Sequence, residues 1–347
     1  MSDRDAGIRR RMGKLGFEYY DRHGRRLRDA AVIKRLASLA VPPAWTDVWI
    51  CPDPRGHLQA TGRDARGRKQ YRYHPEWRTC RDESKFDRMQ AFAAALPRIR
   101  SRTAADVRRT GLPRAKVLAA VVQLLEKSLI RVGNDEYARQ NRSFGLTTLR
   151  DDHVQVRGQT MRFQFRGKSG IRHAVDLNDR RLARIVRQCR DLPGQELFQF
   201  IDDDGKRQDV TSTDVNAYLR EITGQDFTAK DFRTWAGTVL AAKALREAER
   251  APTASAAKKT VLQVVEAVAG VLGNTRTVCR KSYIHPRVID TYLAERQVQA
   301  AAARAARLRA VPRGLRPDEV AVLALLATPR SGRTGRSDRR TSRPRAA

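Results

Sequence analysis

The spacing of apolar residues changes period along the chain, and the changes mark its elements. In the first 78 residues the apolar runs are short and strand-like. FEYYDRHGRRLRD reads as a hairpin turning at Gly24. A short helix is expected over residues 30–40, ended by Pro42 and Pro43, because proline lacks the N–H that would continue it. WTDVWICPDPRGHLQATGRDARGRKQYRYHPEW then alternates short β-type runs with glycine and proline turns.

From about Asp82 the period becomes helical. DESKFDRMQAFAAALPRIR predicts a helix broken near Pro97. RAKVLAAVVQLLEKSLIRVG predicts a stronger one, since Val117, Leu118, Val121, Leu124, Leu125 and Leu129 recur at helical spacing, with Gly133 placed to cap it. Three strands interrupt the helices: HVQVRG, MRFQFRGK and IRHAVDL. In the second, Met161, Phe163 and Phe165 alternate with Arg162, Gln164 and Arg166, the pattern of a half-buried strand, and residues 167–170 form the hairpin tip.

The rest reads as mainly helical to about residue 310. Val261, Val264, Val265, Val268 and Val271 form one stripe, with Gly273 as C-cap, and a short last helix is expected at 317–327. The final TPRSGRTGRSDRRTSRPRAA is polar, basic and low in complexity, and is expected to be disordered. The chain therefore reads as α+β. A small β-rich N-terminal domain covers 1–78, a larger mainly helical domain with a β-hairpin insertion covers 82–310, and a basic tail covers 311–347.

Composition narrows what such a chain could do. Apolar residues make up 41% of its 347 residues, enough for two domains with real cores. The formal net charge of +32 opposes folding by self-repulsion, and a polyanion would neutralise it. Nucleic acid is the first choice, because each Lys or Arg placed on a phosphate releases a counterion. No stretch approaches the ~20 apolar residues of a membrane span, and the charged N-terminus has no apolar core of a signal peptide. Cys51, Cys80, Cys189 and Cys279 form no CxxC pair, and the six histidines are scattered. Neither a metal site nor a disulfide framework is expected, and a reducing, cytoplasmic setting fits best. Charge alone does not separate an enzyme from a non-catalytic binder.

Five short stretches could carry chemistry. GKSG at 167–170 is not a phosphate-binding P-loop, because position 162 is Arg where that loop needs Gly, and a strand follows instead of a helix. It is a hairpin turn bearing Lys168, solvated or reaching into a DNA groove. GRKQYRYHPEW places Gln70, Tyr71 and Tyr73 among basic residues, which suits either base and sugar contacts or an ordinary strand. LIRVGNDEYARQN carries Arg131, Asn134 and Tyr137; alone, an Arg at a helix end pairs with the helix dipole. DFRTWAGT puts Arg233 in an apolar setting, where it needs an anionic partner, supplied by an internal salt bridge or by a ligand. GNTRTVCRKSYIHP holds Asn274 just past a helix and Tyr283 nine residues on. One of eight tyrosines, Tyr283 taken alone would be a half-buried helix residue.

Taken together and in this order, GRKQYRYHP, LIRVGNDEYARQNRSFGLTTL, FRGKSG, KDFRTWAGT and LGNTRTVCRKSYIHP make residues 15 to 300 resemble the type IB DNA topoisomerases, in particular their compact poxvirus-like branch with bacterial members. The resemblance implies that Tyr283 attacks a backbone phosphate, forming a 3′-phosphotyrosyl link and freeing a 5′-hydroxyl. The nicked strand swivels and is resealed without ATP, metal or other cofactor. Arg131 and Arg233 would supply forked, charged donors to the non-bridging oxygens. Asn274, where a His is common in the poxvirus pattern, would add a neutral hydrogen bond. Lys168 would protonate the leaving 5′-oxygen, and two nearby arginines are expected to make it the better acid. Lys230 would contact phosphate, as would the Asn134 and Tyr137 stretch, and Gln70, Tyr71 and Tyr73 would face the major groove. The partner implied is double-stranded DNA, gripped by a monomeric C-shaped clamp in the nucleoid. Two rivals remain. A tyrosine site-specific recombinase shares the pocket but usually carries a helical N-terminal domain. A non-catalytic basic binder explains the charge but not the five-residue set.

Overall fold

The computed structural model describes residues 2–14, 16–65, 67–295 and 313–327. The basic end from 328 onward, expected to be disordered, and residues 296–312, most of them in the span expected to be helical, lie outside the described residues. Two compact units are present, residues 1–87 and 88–347.

The first unit is a five-stranded antiparallel sheet with a helix. Its strands are β1 (Ile8–Gly13), β2 (Gly16–Tyr20), β3 (Thr46–Ile50), β4 (Leu58–Arg63) and β5 (Lys69–Tyr73), in the order β2-β1-β3-β4-β5. Helix α1 (Ala30–Ser38) starts at Asp29, whose carboxylate accepts from the amides of Ala31 and Val32. Ile8, Tyr19, Leu36, Val48, Ile50 and Ala60 form the core. The hairpin expected to turn at Gly24 is reduced to a bridge between Tyr20 and Arg26, and β2 pairs along its length with β1 instead. Strand β1 reads IRRRMG and has almost no apolar alternation. It works because Arg10 is satisfied while half-buried. Its guanidinium donates to the carbonyls of Val41 (2.8 Å), Pro42 (2.8 Å) and Trp45 (2.9 Å) and lies 4.1 Å over the Phe17 ring. Among the described residues, strand β5 is an edge, paired with β4 alone.

Helix α2 (Pro75–Asp106) begins earlier than Asp82 and runs through Pro97 without a break. Proline at the first helical position leaves no amide orphaned there. At position 97 it removes one internal bond, which packing on either side outweighs: Phe92, Ala93, Leu96 and Ile99 are all buried. The division between the two units falls within this helix.

In the second unit, α3 (Arg114–Ser128) is the central element. Val117 to Leu125 are buried on every face except at Gln123, as expected for a helix enclosed by its neighbours. It ends at Leu129, which takes the left-handed conformation itself (φ 55°), so Gly133 is not its cap. Gly133 (φ 114°) lies instead against Thr147, Thr148 and Gly145, leaving no room for a Cβ. After α4 (Asp135–Asn141) come β6 (Val154–Arg157), β7 (Thr160–Arg166) and β8 (Arg172–Asn178), the three-stranded antiparallel sheet expected from the alternation. The order continues with α5 (Arg180–Arg190), a short hairpin of β9 (Gln199–Ile201) and β10 (Arg207–Asp209) that the helical reading missed, and α6 (Ser212–Thr223). Next are α7 (Ala229–Glu247), α8 (Ala254–Leu272), α9 (Arg276–Ser282) and α10 (Pro286–Glu295). Gly273 caps α8 at φ 59°, as its position suggested. Val261, Val265 and Val268 face inward, but Val271 is exposed. Helix α11 (Pro317–Ala327) is a packed part of this unit, with Val322, Leu325 and Leu326 buried, although it falls in the span expected to be tail. Among the described residues no helix is long and apolar enough to cross a membrane.

Candidate active site

Three chain segments bring Arg131, Arg233, Asn274 and Tyr283 together. Arg233, in the second turn of α7, is only 4% exposed. The internal salt bridge, one of the two anionic partners left open for it, is absent among the described residues. Its guanidinium donates instead to the carbonyl of Leu129, where α3 ends, and to that of Leu272 at 2.6 Å, where α8 ends. Both acceptors sit at helix C-termini, where unpaired carbonyls concentrate negative partial charge, so two helix ends stand in for an acid. The Nε of Arg233 is buried without a partner among the described residues.

Arg131 lies just beyond the end of α3. Its Nη2 donates to the carbonyl of Gly273 at 2.9 Å and to Oδ1 of Asn274 at 2.5 Å. Asn274 follows the glycine cap of α8, so the left-handed turn at Gly273 is what swings its amide toward Arg131. Asn274 Nδ2 makes a long bond, 3.4 Å, to the Leu272 carbonyl.

Tyr283 closes α9 as its C-cap, and its ring centre lies 5.3 Å from the Arg233 guanidinium carbon. Helix α7 seats its backbone. Thr238, fully buried, shares its one hydroxyl proton between the Thr234 carbonyl (2.9 Å) and the Tyr283 carbonyl (3.2 Å) and accepts from the His285 amide (3.0 Å). A Cβ on Gly237 would stand 2.8 Å from the Tyr283 oxygen, so glycine permits the close approach. Neither Gly237 nor Thr238 was singled out from sequence. The WAGT spelling, small residues one turn after Arg233, was the available signal.

The electrostatics are those of a cationic pocket. Burial lowers the pKa of Arg233, and the charge of Arg131 lowers it further; burial likewise lowers that of Arg131. Both nevertheless stay charged at neutral pH, as guanidinium groups do in proteins. His173, on β8, is also held below its ordinary value, by burial first and then by Arg131 and Arg233. It too escaped the sequence reading.

Lys168 is placed differently. It sits exposed on the 167–170 turn between β7 and β8, where Ser169 (φ 63°) and Gly170 (φ 78°) turn the backbone. Among the described residues no hydrogen bond or ion pair joins it to the other four. Lys230 is exposed one turn before Arg233. Asn134 caps α4 by accepting from the Tyr137 amide (2.9 Å), and Tyr137 is 48% exposed. In the first unit, Gln70 is bonded to Asp64 (2.9 Å). Tyr71 and Tyr73 stack at 6.0 Å, Tyr73 stacks on Trp77 at 4.7 Å, and Tyr71 stands 45% exposed on the edge strand. This is a ladder of aromatic faces with Lys69 beside it, 5.7 Å from the Tyr71 ring centre.

The chemistry available is stabilisation of an anion beside a phenol. Comparison with known proteins agrees. The family described as eukaryotic DNA topoisomerase I, catalytic core, matches residues 74–310, and that described as bacterial DNA topoisomerase IB, N-terminal domain, matches residues 16–64. DNA topoisomerase 1B of Acanthamoeba polyphaga mimivirus is 33% identical over 267 residues, covering 75% of this chain and 80% of the relative. DNA topoisomerase 1B of vaccinia virus (strain Copenhagen) is 22% identical over 265 residues, covering 74% and 80%. With 237 of its 347 residues inside one family match and a 33% identical relative along three quarters of its length, this chain belongs to the type IB DNA topoisomerases.

Proposed function

We propose that this topoisomerase relaxes supercoiled DNA through Tyr283. Its phenol oxygen attacks a backbone phosphorus and the P–O5′ bond breaks. The products are a 3′-phosphotyrosyl ester and a 5′-hydroxyl end. The phenol proton goes to solvent, and Lys168 gives a proton to the departing 5′-oxygen. After the nicked strand swivels, the 5′-hydroxyl attacks the ester and gives its proton to Lys168, the tyrosyl P–O bond breaks, and the released Tyr283 phenolate takes a proton from solvent. One phosphoester bond is exchanged for another in each direction, so ATP is not consumed.

The observation that carries this reading is the pairing of Arg131 and Arg233 beside the Tyr283 ring, with Asn274 oriented by Arg131. A phosphodiester near its transition state spreads charge over the non-bridging oxygens, and preorganised donors are worth most there because they need not reorganise. The loosely held amide of Asn274 is a donor of that kind. Lys168 reaches the 5′-oxygen from its turn only once DNA is bound, in keeping with its exposed position. Lys230, Asn134 and Tyr137 hold phosphates nearby, while Gln70, Tyr71 and Tyr73 face the major groove. A monomer whose two units grip one duplex as a clamp, working in the cytoplasm on the nucleoid, is part of the same proposal.

Purified protein mixed with supercoiled plasmid, EDTA and no ATP is expected to yield relaxed topoisomers. Tyr283→Phe is expected to bind DNA nearly as well as the parent but to give neither relaxation nor covalent adduct. Relaxation by that variant would overturn the assignment of Tyr283.

A further inference from the structure

The 167–170 turn bearing Lys168 is braced against the pocket by one side chain. Phe165 of β7 and His173 of β8 are directly paired across the strands, and their rings stack at 5.1 Å with 15° between planes. The imidazole then occupies the space where two glycines would carry side chains. A Cβ on Gly167 would lie 2.6 Å from its Cδ2 and 2.7 Å from its Nε2. A Cβ on Gly273 would lie 2.5 Å from its Cε1.

The two glycines differ in an informative way. Gly273 needs its left-handed conformation to cap α8, whatever lies beside it. Gly167 has φ −95° and ψ −163°, which other residues adopt readily, so its backbone does not require glycine. What requires it is the ring of His173. Gly167 immediately precedes Lys168, and Gly273 immediately precedes Asn274. The ring thus spans the gap between the two segments that carry these residues. Among the described residues it makes no hydrogen bond or ion pair, so its contribution is shape. Its burial, and then the charges of Arg131 and Arg233, favour the neutral ring that such packing requires.

We propose that His173 is a positioning residue for Lys168: held between Gly167 and Gly273, its ring fixes where the 167–170 turn stands relative to the Asn274 corner. Removing the ring frees the turn, and Lys168 then spends less time within reach of the 5′-oxygen. The residues around Tyr283 keep their own anchors on Leu129, Leu272 and Gly273. The defect falls on proton donation to the leaving group and leaves attack intact.

This inference rests on the proton-donor reading of Lys168, and the test separates the two. The parent's preferred cleavage site is first mapped on plasmid DNA. Duplexes with that site are made with the ordinary bridging 5′-oxygen or with sulfur in its place. A thiol with a pKa near 8.5 leaves without a proton donor, whereas an alcohol does not. His173→Ala is expected to slow single-turnover cleavage of the oxygen duplex by at least about tenfold, part of the 10²–10⁴-fold value of a general acid, and to cleave the sulfur duplex within about threefold of the parent. His173→Phe keeps the ring and its stack, and is expected to recover most of the rate lost in His173→Ala. Lys168→Ala is the control. If sulfur fails to rescue Lys168→Ala, the proton-donor reading falls. If sulfur rescues Lys168→Ala but not His173→Ala, the positioning role of His173 falls. Should His173→Ala not fold, as judged by circular dichroism, Gly167→Ala takes its place, because its Cβ must displace the ring or the turn. It is expected to show the same slow oxygen cleavage and the same sulfur rescue, and a loss that sulfur leaves unrescued would overturn the proposal.

Discussion

Arg131 donates to the side-chain oxygen of Asn274 at 2.5 Å, and that bond decides which end of the amide is left to face a substrate. With Oδ1 occupied, the NH₂ group is the available end, and a neutral donor is what a non-bridging phosphate oxygen would accept. Asn274→Asp preserves the acceptor for Arg131 but replaces the donor by a second negative oxygen. Single-turnover cleavage by Asn274→Asp is expected to fall by about 10²–10³-fold, the loss typical of one oxyanion donor. Asn274→His, which restores an N–H, is expected to lose less. Equal rates for the Asp and His variants would show that donation at 274 does not matter.

Gly237 and Tyr283 make a second close relationship. The backbone of Tyr283 approaches α7 so nearly that a methyl group at 237 would meet its carbonyl oxygen at 2.8 Å and its Cβ at 3.3 Å. Alanine is otherwise the better helix former by about 1 kcal/mol. In a helix without this contact Gly→Ala would stabilise. Here overpacking of about 1–3 kcal/mol is expected to outweigh the propensity gain. Gly237→Ala is therefore expected to lower the melting temperature and slow covalent adduct formation, with DNA affinity little changed. A higher melting temperature with full adduct formation would mean that the seat of Tyr283 yields easily.

The sequence disclosed most elements and hid the reasons that the site closes. The alternation in MRFQFR and the cap at Gly273 are local signals, and both are present where expected. Strand β1 was invisible because Arg10 takes an inward position that reads as polar, its satisfaction coming from three carbonyls 31 to 35 residues away. The start of α2 at Pro75 had a signal, proline at the first turn, but the following WRTCRDES has no apolar stripe. The partner of Arg233 had no signal at all. A backbone carbonyl has the same chemistry whatever residue carries it, so the ends of α3 and α8 could not be named as its acceptors. His173 was hidden for the related reason that its role is to fill space beside two glycines distant in sequence. The grouping of Arg131, Arg233, Asn274 and Tyr283 was legible only through resemblance, since three separate segments supply them.

Helix α11 supports the same helix that carries Arg233. Glu319, 4% exposed, accepts two bonds from Arg100 (2.6 and 2.9 Å), one from the Arg316 amide (2.7 Å) and one from the Trp235 indole (3.3 Å). Burial alone would raise its pKa, but these donors together hold it below the ordinary value. A carboxylate with a lowered folded pKa adds stability above its unfolded pKa and loses it as pH falls through the folded one. Among the described residues, Glu319→Gln leaves Arg100 with Glu126 as its one carboxylate partner, at 2.7 Å. Losing one charge of a buried network costs on the order of 3 kcal/mol, so the variant should melt several degrees lower at neutral pH. The difference from the parent should shrink in acid, as pH falls through the lowered folded pKa of Glu319, below which both carry a neutral group. A melting temperature matching the parent at neutral pH would show that α11 is dispensable to this unit.

Histidine ionisation gives a separate window. Burial lowers the pKa of His173 and of His153 from the ordinary 6.5; Arg131 and Arg233 add to it at His173, while at His153 Asp152 opposes it and Arg150 adds a smaller push downward. The unfolded chain therefore takes up these protons at a higher pH than the folded one. Between 6.5 and the folded values the unfolded state binds more protons, so stability rises with pH there and falls on acidification. The carboxylates with lowered pKa titrate lower still, outside this range. Asp151 and Glu196, whose carboxyls burial raises, act in the opposite sense but equally in parent and variant. The expected outcome is a melting temperature that declines from about pH 7.5 to pH 5 in the parent and declines less in His173→Phe, which has no proton to gain at that position. Calorimetric melts of both proteins across this range check it. Parallel curves would mean that the ring of His173 titrates alike in the folded and unfolded chain, and that neither its burial nor Arg131 and Arg233 hold it neutral.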